Sequence, residues 1–524
     1  MKEQYTKRFL AVAVAASLGI VAAPADAVML NARGTGQVLI YPYYTVNHQQ
    51  TLVSVINTTA HGKALKVRFR EAYNGRDVAN FNAYLGPYDS WVASVFDTSS
   101  DGTGGAAIAT NDNSCTVPAF PLAQGSGTLH ELTFSNANYS QGDYGTPTGT
   151  DSGPTSLSRT REGFFEIIEM GEIADQATGS SETLEAITPV NGKPPGCAQV
   201  QEAWASKGYW ATNASIDLLP PAGGVFGAAG IVDVAQGTLY AYDATAIDGF
   251  SDAVQHSAPG DPKPNLSTAV TDSANEIATA YVPIGNAMIT AQYPAATRGV
   301  DAVSAVLMAD TLYNEFNVEP GLGAATDWVI TFPTMRFYVD PAIVGTKVSD
   351  YLPPFEETFG GGLVNGVLQD QDPGVSCMYV APSIFDREGA APHNFGCGVL
   401  CPIGYAAVLC GETAIISFGN VSHSAALGSN LKVQAPLVPD TAHSYSPLPA
   451  AGEFQLGFSD TGYQELRPTL NGMVFHGVPA IGFSATNYIN ANVSPGVLSN
   501  YSGAYPHRAT VSCVNSINPQ SVCQ

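Results

Sequence analysis

The sequence predicts a mainly β protein: two β-sandwich, Ig-like units with long loop insertions and a short helical segment between them. Three observations carry this. From Gly34 to Phe96 the chain is a series of β-rich runs of roughly 7–10 residues, each closed by Gly, Asn, Pro or Asp, as short sandwich strands are. A second β-rich series opens at Trp328 with W-V-I-T-F-P-T-M-R-F-Y-V-D and continues through Ala414–Phe418, Glu453–Phe458 and Gly472–Tyr488. Between them, Asp301–Phe316 sets Val303, Val306, Leu307, Leu312 and Phe316 near helical spacing, and Pro320-Gly321 stops the run. No fixed-period repeat is visible, which disfavours a solenoid or propeller.

Taken in order, Lys2, Lys7 and Arg8 precede the apolar run Phe9–Ala23, and Ala25-x-Ala27 is a small-residue cleavage signature. Residues 1–27 therefore read as a signal peptide, and no Cys follows the cut to suggest a lipoprotein. No later run reaches ~18 apolar residues, so no transmembrane segment is expected. The expected location is periplasmic, cell-surface or extracellular. Residues 28–258 form the expected N-terminal sandwich with inserted loops 97–225, residues 259–325 a linker and helical segment, and residues 326–524 a C-terminal β-rich domain with a cysteine-bearing insertion.

Within the first sandwich, Val38, Ile40 and Tyr43 lie among apolar neighbours, which predicts a strand buried on both faces. Pro42 in that strand requires an edge or a bulge. From Lys63 to Arg70 the alternation is clean: Leu65, Val67 and Phe69 point one way, Lys66, Arg68 and Arg70 the other. The three cations are expected on a solvated face, with an anion-binding face as the alternative. Phe164–Met170 reads as a strand, Gln236-Gly237 as the turn of a hairpin, and Pro259–Pro264 as a linker.

Charged residues make up only 13% of the chain, and the net charge of −24 becomes −25 once Lys2, Lys7, Arg8, Glu3 and Asp26 leave with the leader. This acidic balance argues against nucleic acid and anionic membranes, and leaves copies of the chain itself or surface glycans as partners. Eight cysteines in an exported chain predict disulfides. Cys115 with Cys197 clamps the first insertion, Cys513 with Cys523 ties the tail, and Cys377, Cys397, Cys401 and Cys410 pair locally. A zinc site from His393, Cys397, Cys401 and Cys410 is the competing reading, though it has only one close pair.

Catalytic signatures are absent: no G-x-S-x-G, H-E-x-x-H, P-loop or dinucleotide fingerprint occurs, and the nine histidines show no ligand spacing. No cofactor is implied except Ca²⁺. Asp97, Asp101 and Asp112, with Asn111 and Asn113, offer oxygens for it in a polar loop that matches no EF-hand. A glycosidase needs only two carboxylates brought together by the fold; Glu166, Glu169, Asp233 and Asp243 are the candidates near strand ends. Tyr41, Tyr43, Tyr44, Tyr84, Tyr88 and Trp91 stack on sugars if exposed and fill a core if not.

The blocks G-T-G-Q-V-L-I-Y-P-Y-Y-T-V, V-I-N-T-T, K-V-R-F-R-E and W-V-I-T-F-P-T-M-R-F-Y-V-D resemble those of an uncharacterised group of exported Gram-negative bacterial proteins. The resemblance touches both halves, implies an envelope or extracellular location, and brings no activity. The expected function is that of a secreted or cell-surface structural or adhesive protein acting by self-association or surface attachment. The alternatives are an extracellular glycan-binding module and a polysaccharide hydrolase. Assembly requires exposed apolar surface or open strand edges, glycan binding a coplanar aromatic strip, and hydrolysis a cleft with paired acids.

Overall fold

The computed structural model describes residues 27–99, 102–142, 151, 153–173, 182–345, 351–359, 363–364, 367–368, 374–390, 407–419, 424–435, 448–458, 464–490, 493–494, 497, 499–516 and 523. Residues 1–26 of the expected leader, Asp101, His393, Cys397 and Cys401 lie outside them.

The chain is mainly β. Its first half supplies β1 (Met29–Leu30), β2 (Val38–Thr45), β3 (Gln50–Asn57), β4 (Gly62–Glu71), β5 (Asp77–Leu85), β6 (Ser90–Asp97) and β7 (Ala106–Thr110). Then come β8 (Cys115–Val117), β9 (His130–Thr133), β10 (Glu162–Ile173), β11 (Leu218–Leu219), β12 (Val225–Asp233), β13 (Thr238–Asp243) and β14 (Thr245–Asp248). They form an eight-stranded sheet in the order β1-β14-β2-β10-β4-β5-β8, with β11 on β10, and a six-stranded sheet in the order β13-β12-β3-β6-β7-β9. The two sheets pack over one apolar core. Leu39, Tyr41, Val67, Phe69 and Phe165 of the larger sheet meet Val53, Val55, Trp91, Val95 and Ile231 of the smaller. Phe165 stacks on Tyr41 and Phe69 at centroid distances of 4.1 and 4.5 Å. The expected hairpin is present as β12–β13.

The second half supplies the hairpin β15 (Ile277–Ile284) and β16 (Ala287–Pro294), a helix over Ala295–Leu307, then β17 (Met308–Ala309), β18 (Thr311–Asn317) and β19 (Ala324–Thr331). β19 runs between the strands Thr413–Phe418 and Ile481–Tyr488. Trp328 on β19 packs against Phe418 and Phe454. Both halves share their cores. Val38, Ile40, Phe164 and Ile168 join Val303 and Trp328 in one cluster, while Val329 and Phe483 join the core of the first half.

Two expectations are corrected. The helix does not occupy 301–316: it begins at Ala295 and ends at Leu307, and Leu312 and Phe316 lie on strand β18. A spacing of four residues fits both a helical turn and a two-residue period, so Leu312 and Phe316 could not discriminate. Lys66, Arg68 and Arg70 are not solvated; all three are buried. Their alternation with Leu65, Val67 and Phe69 is as expected, but a second layer covers the charged face. Part of that layer is the expected linker. Lys66 Nζ donates to the Ala258 carbonyl at 2.7 Å, Asn80 to Asp261 and Asn82 to Ser257. Of the two options for Pro42 the bulge holds: β14 and β10 flank β2, and Pro42 sits at the register shift where Gly163 faces Tyr44 and Phe165 faces Tyr41. The bulge accommodates the missing N–H.

Disulfides join Cys115 to Cys197, Cys377 to Cys410 and Cys513 to Cys523. Cys410, a ligand in the zinc reading, is thus bonded to sulfur, and Cys377–Cys410 joins two paired strands.

Gly163 marks the closest approach inside the larger sheet. A Cβ there would lie 1.9 Å from the Arg70 carbonyl oxygen, which is backbone and cannot swing away. Gly163→Ala should therefore cost at least ~2 kcal/mol of stability, read from urea unfolding.

Candidate functional site

The charged face of β4 is where the chain concentrates its buried ions. β4 and β10 are antiparallel neighbours, and their registers set base against acid: Arg68 opposite Glu166 and Lys63 opposite Glu172. Glu166 Oε1 accepts from Arg68 Nη1 at 3.0 Å and from Arg70 Nη2 at 3.1 Å. Asp77, at the start of β5, receives the Arg68 fork at 2.8 to 3.2 Å. On the opposite face of β4, two residues before Leu65, Lys63 bonds Glu169 at 2.7 Å and Glu172 at 2.6 Å. Arg159 spans Glu71 and Asp151 at 2.7 and 2.6 Å. Arg70 also lies over the Phe164 and Phe337 rings.

The second half reaches into this layer through Glu412. Its backbone N–H donates to the Tyr73 carbonyl, and its Oε1 accepts from the Arg336 N–H at 2.8 Å. Oε2 points at Gly75: a Cβ on Gly75 would fall 1.4 Å from it, so the turn needs glycine there, at φ +66°. Arg70 and Arg336 both donate to the Gly75 carbonyl at 3.1 Å. A second clasp is Glu162, which accepts from Tyr43 on its own half and from Ser429 and Asn430 N–H on the other.

The electrostatics follow from burial against pairing. Burial alone drives a carboxylate up and an ammonium down, while a close opposite charge reverses both. Burial pushes Asp77 up, but Arg68 and Arg70 outweigh it and hold it below the usual carboxylate range. Burial lifts Glu169 to about 7 despite Lys63, and Glu412 to about 8 despite Arg70. Burial, reinforced by Arg68, lowers Lys66 to about 7.

The candidate residues are not assembled into a catalytic pair. Glu166 and Glu169 lie three apart on one strand, and each is engaged by the cations of β4. Asp233 accepts from Gln236 N–H in the β12–β13 turn, and Asp243 sits on β13 in the other sheet. Tyr41, Tyr43, Tyr44, Tyr84 and Trp91 are core residues, while Tyr88 is 70% exposed. Asp97 pairs with Arg161 at 2.8 Å, and Asp112 accepts from Ser114 and from Val92 N–H. Val92 and Asp97 are five residues apart on β6, roughly 16 Å, so Asp97 and Asp112 do not form one Ca²⁺ site. Among the described residues no cluster of three His, Cys, Asp or Glu is placed to hold a metal.

What the described surface does offer is the outer face of the six-stranded sheet. Its inward residues fill the core, so by alternation Leu52, Ser54, Val92, Ser94, Phe226, Ala228, Gly230, Leu239 and Ala241 point outward. Leu52, Val92 and Leu239 are 46%, 45% and 48% exposed. They surround an open hollow of about 550 Å³ whose floor includes Ser54, Ala228 and Gly230. None of the outward positions on β12, β3 and β6 is charged. Neither this face nor the Glu412 clasp was expected from the sequence. The signal for the ion layer was nonetheless present: Lys63, Lys66, Arg68 and Arg70 on one strand, and Glu162, Glu166, Glu169 and Glu172 on another.

Compared with known protein families, curated proteins and solved structures, the chain matches none.

Two outcomes test the ion layer. Glu166→Ala strands Arg68 and Arg70 in the interior and should cost about 3–5 kcal/mol in denaturant unfolding. For Glu412, the raised folded value means that the native state holds a proton the unfolded chain has already lost. Its contribution is full below about 4.5 and gone above about 8. Between those values the stability of the wild type should fall relative to Glu412→Gln, by up to ~1.4 kcal/mol per pH unit.

Proposed function

We propose that this chain is an exported or cell-surface structural protein that works by self-association or surface attachment. The observation that carries this is the half-exposed apolar centre of the outer face of the six-stranded sheet, uncharged on β12, β3 and β6 and bordered by Asp243 on β13, on a chain of net charge −24. Soluble monomers keep large contiguous apolar patches rare, and such a patch on a sheet face is a contact surface. The three disulfides among the described residues suit an exported location, and no helix among them is long and apolar enough to cross a membrane.

The two rival readings lack their structural requirement at the residues that suggested them. The sugar-stacking reading rested on aromatics of which only Tyr88 is exposed. Tyr501 and Tyr505 are also exposed, but a Cβ on Gly503 would meet the Tyr505 ring at 2.8–3.2 Å, so that ring leans over its own strand. The hydrolase reading rested on carboxylates now engaged in ion pairs or separated between sheets. Light scattering of the purified protein with and without Ca²⁺, alongside retention and cleavage assays on a polysaccharide panel, tests the proposal. Concentration-dependent growth in mass is the expected result, and a strict monomer with saturable retention on a polysaccharide would replace the proposal with the glycan-binding module. Turnover abolished by one Asp or Glu substitution would replace it with the enzyme.

A further inference from the structure

We infer that the open face of the six-stranded sheet is an interface between two copies of this chain, packed face to face. This rests on the assembly reading above and narrows it to one partner. The first argument is shape. Across the strands Leu52 stands between Gly230 and Ser94, and Val92 stands beside Ser54. The patch therefore carries both a ridge and a hollow. A two-fold rotation lays the ridge of one copy into the hollow of the other, which is the self-complementarity a closed pair requires. Flat apolar sheet faces pack in this way at about 10 Å separation.

The second argument is area. Every residue of β7 is buried, so the open face spans four strands; about 4.8 Å apart and about seven residues long, they give roughly 19 Å by 24 Å. A pair buries on the order of 900 Å², just under the ~1,000 Å² of a specific interface and in the range of weak, transient ones. The pair should accordingly be reversible and concentration-dependent. The third argument is charge. A cationic partner would be met by acids within the patch, and its central strands carry none. An anionic lipid surface is repelled by a chain of net charge −24. A second copy needs neither charge on the patch nor attraction at long range. Repulsion between two acidic copies remains, and salt screens it.

The test is sedimentation velocity from micromolar to millimolar chain, at low and high NaCl. Leu52→Asp places a charge on the ridge. Ala241→Trp, at an exposed position where the fold tolerates it, fills the hollow. Val234→Asp, in the β12–β13 turn, is the control, and circular dichroism verifies that each variant folds. The wild type and control should form a dimer that tightens about tenfold or more with salt. Both interface variants should stay monomeric. A monomeric wild type throughout, or a dimer that survives both Leu52→Asp and Ala241→Trp, overturns the inference. The two proposals separate at that point: association that survives both variants leaves self-association standing on another surface, a monomer retained on polysaccharide moves the chain to the glycan-binding reading, and a monomer that binds nothing removes both.

Discussion

Arg70 sits in the interior of this protein because Glu166, Gly75 and two aromatic rings are arranged around it. A guanidinium in an apolar medium without partners is not tolerated, so the larger sheet is stable only with its covering layer in place. That layer comes from distant parts of the sequence: β10, the segment around Ala258 and Asp261, and the Arg336 and Glu412 region. The ion layer thus makes the two halves of the chain one folding problem, even though each has recognisable strands of its own.

The same sheet pair shows two solutions to a two-residue period. In the larger sheet one face is mainly apolar, the other sets Lys66, Arg68 and Arg70 beside Val38, Ile40, Phe164 and Ile168, and both are buried. In the smaller sheet one face is apolar and buried, while the other is apolar and open. The first arrangement consumes charge inside the molecule, in a chain that has little of it. The second leaves uncharged surface outside. Their combination explains why so few of the candidate acids and cations remain for external chemistry.

Much of this was legible in the sequence, because strand periodicity and turn residues are local. The mainly β class, the β12–β13 turn and the alternation of Lys66, Arg68 and Arg70 all follow from residues within one strand or hairpin. The pairing Cys513–Cys523 followed from proximity in sequence, and Cys115–Cys197 from their places at the two ends of one insertion, both in an oxidising context. What did not follow is what lies across from a face. An alternating strand looks the same whether its polar side meets water or a second layer, so Arg68 read as solvated. The helix boundary failed for a related reason, since Leu312 and Phe316 satisfy two periods at once. Glu412 was invisible: it is one acid in a turn, and its meaning depends on Gly75, far away in the chain.

The long reach of the Glu412 clasp bears on the order in which the chain can acquire its structure. β4 is synthesised well before β10, and the turn bearing Glu412 comes more than three hundred residues after Gly75. A nascent chain that has completed only its first half can pair Lys63, Lys66 and Arg68 within itself, but Arg70 still lacks the Arg336 and Glu412 side of its cover. Vectorial folding, in which an early domain finishes before a later one emerges, is therefore incomplete for a molecule built this way. The first half can close its aromatic core between its own two sheets, while the Arg70 side stays open to water until the last clasp arrives. Such a chain depends on being held soluble in the interval, and its folding is paced by the completion of synthesis or transport.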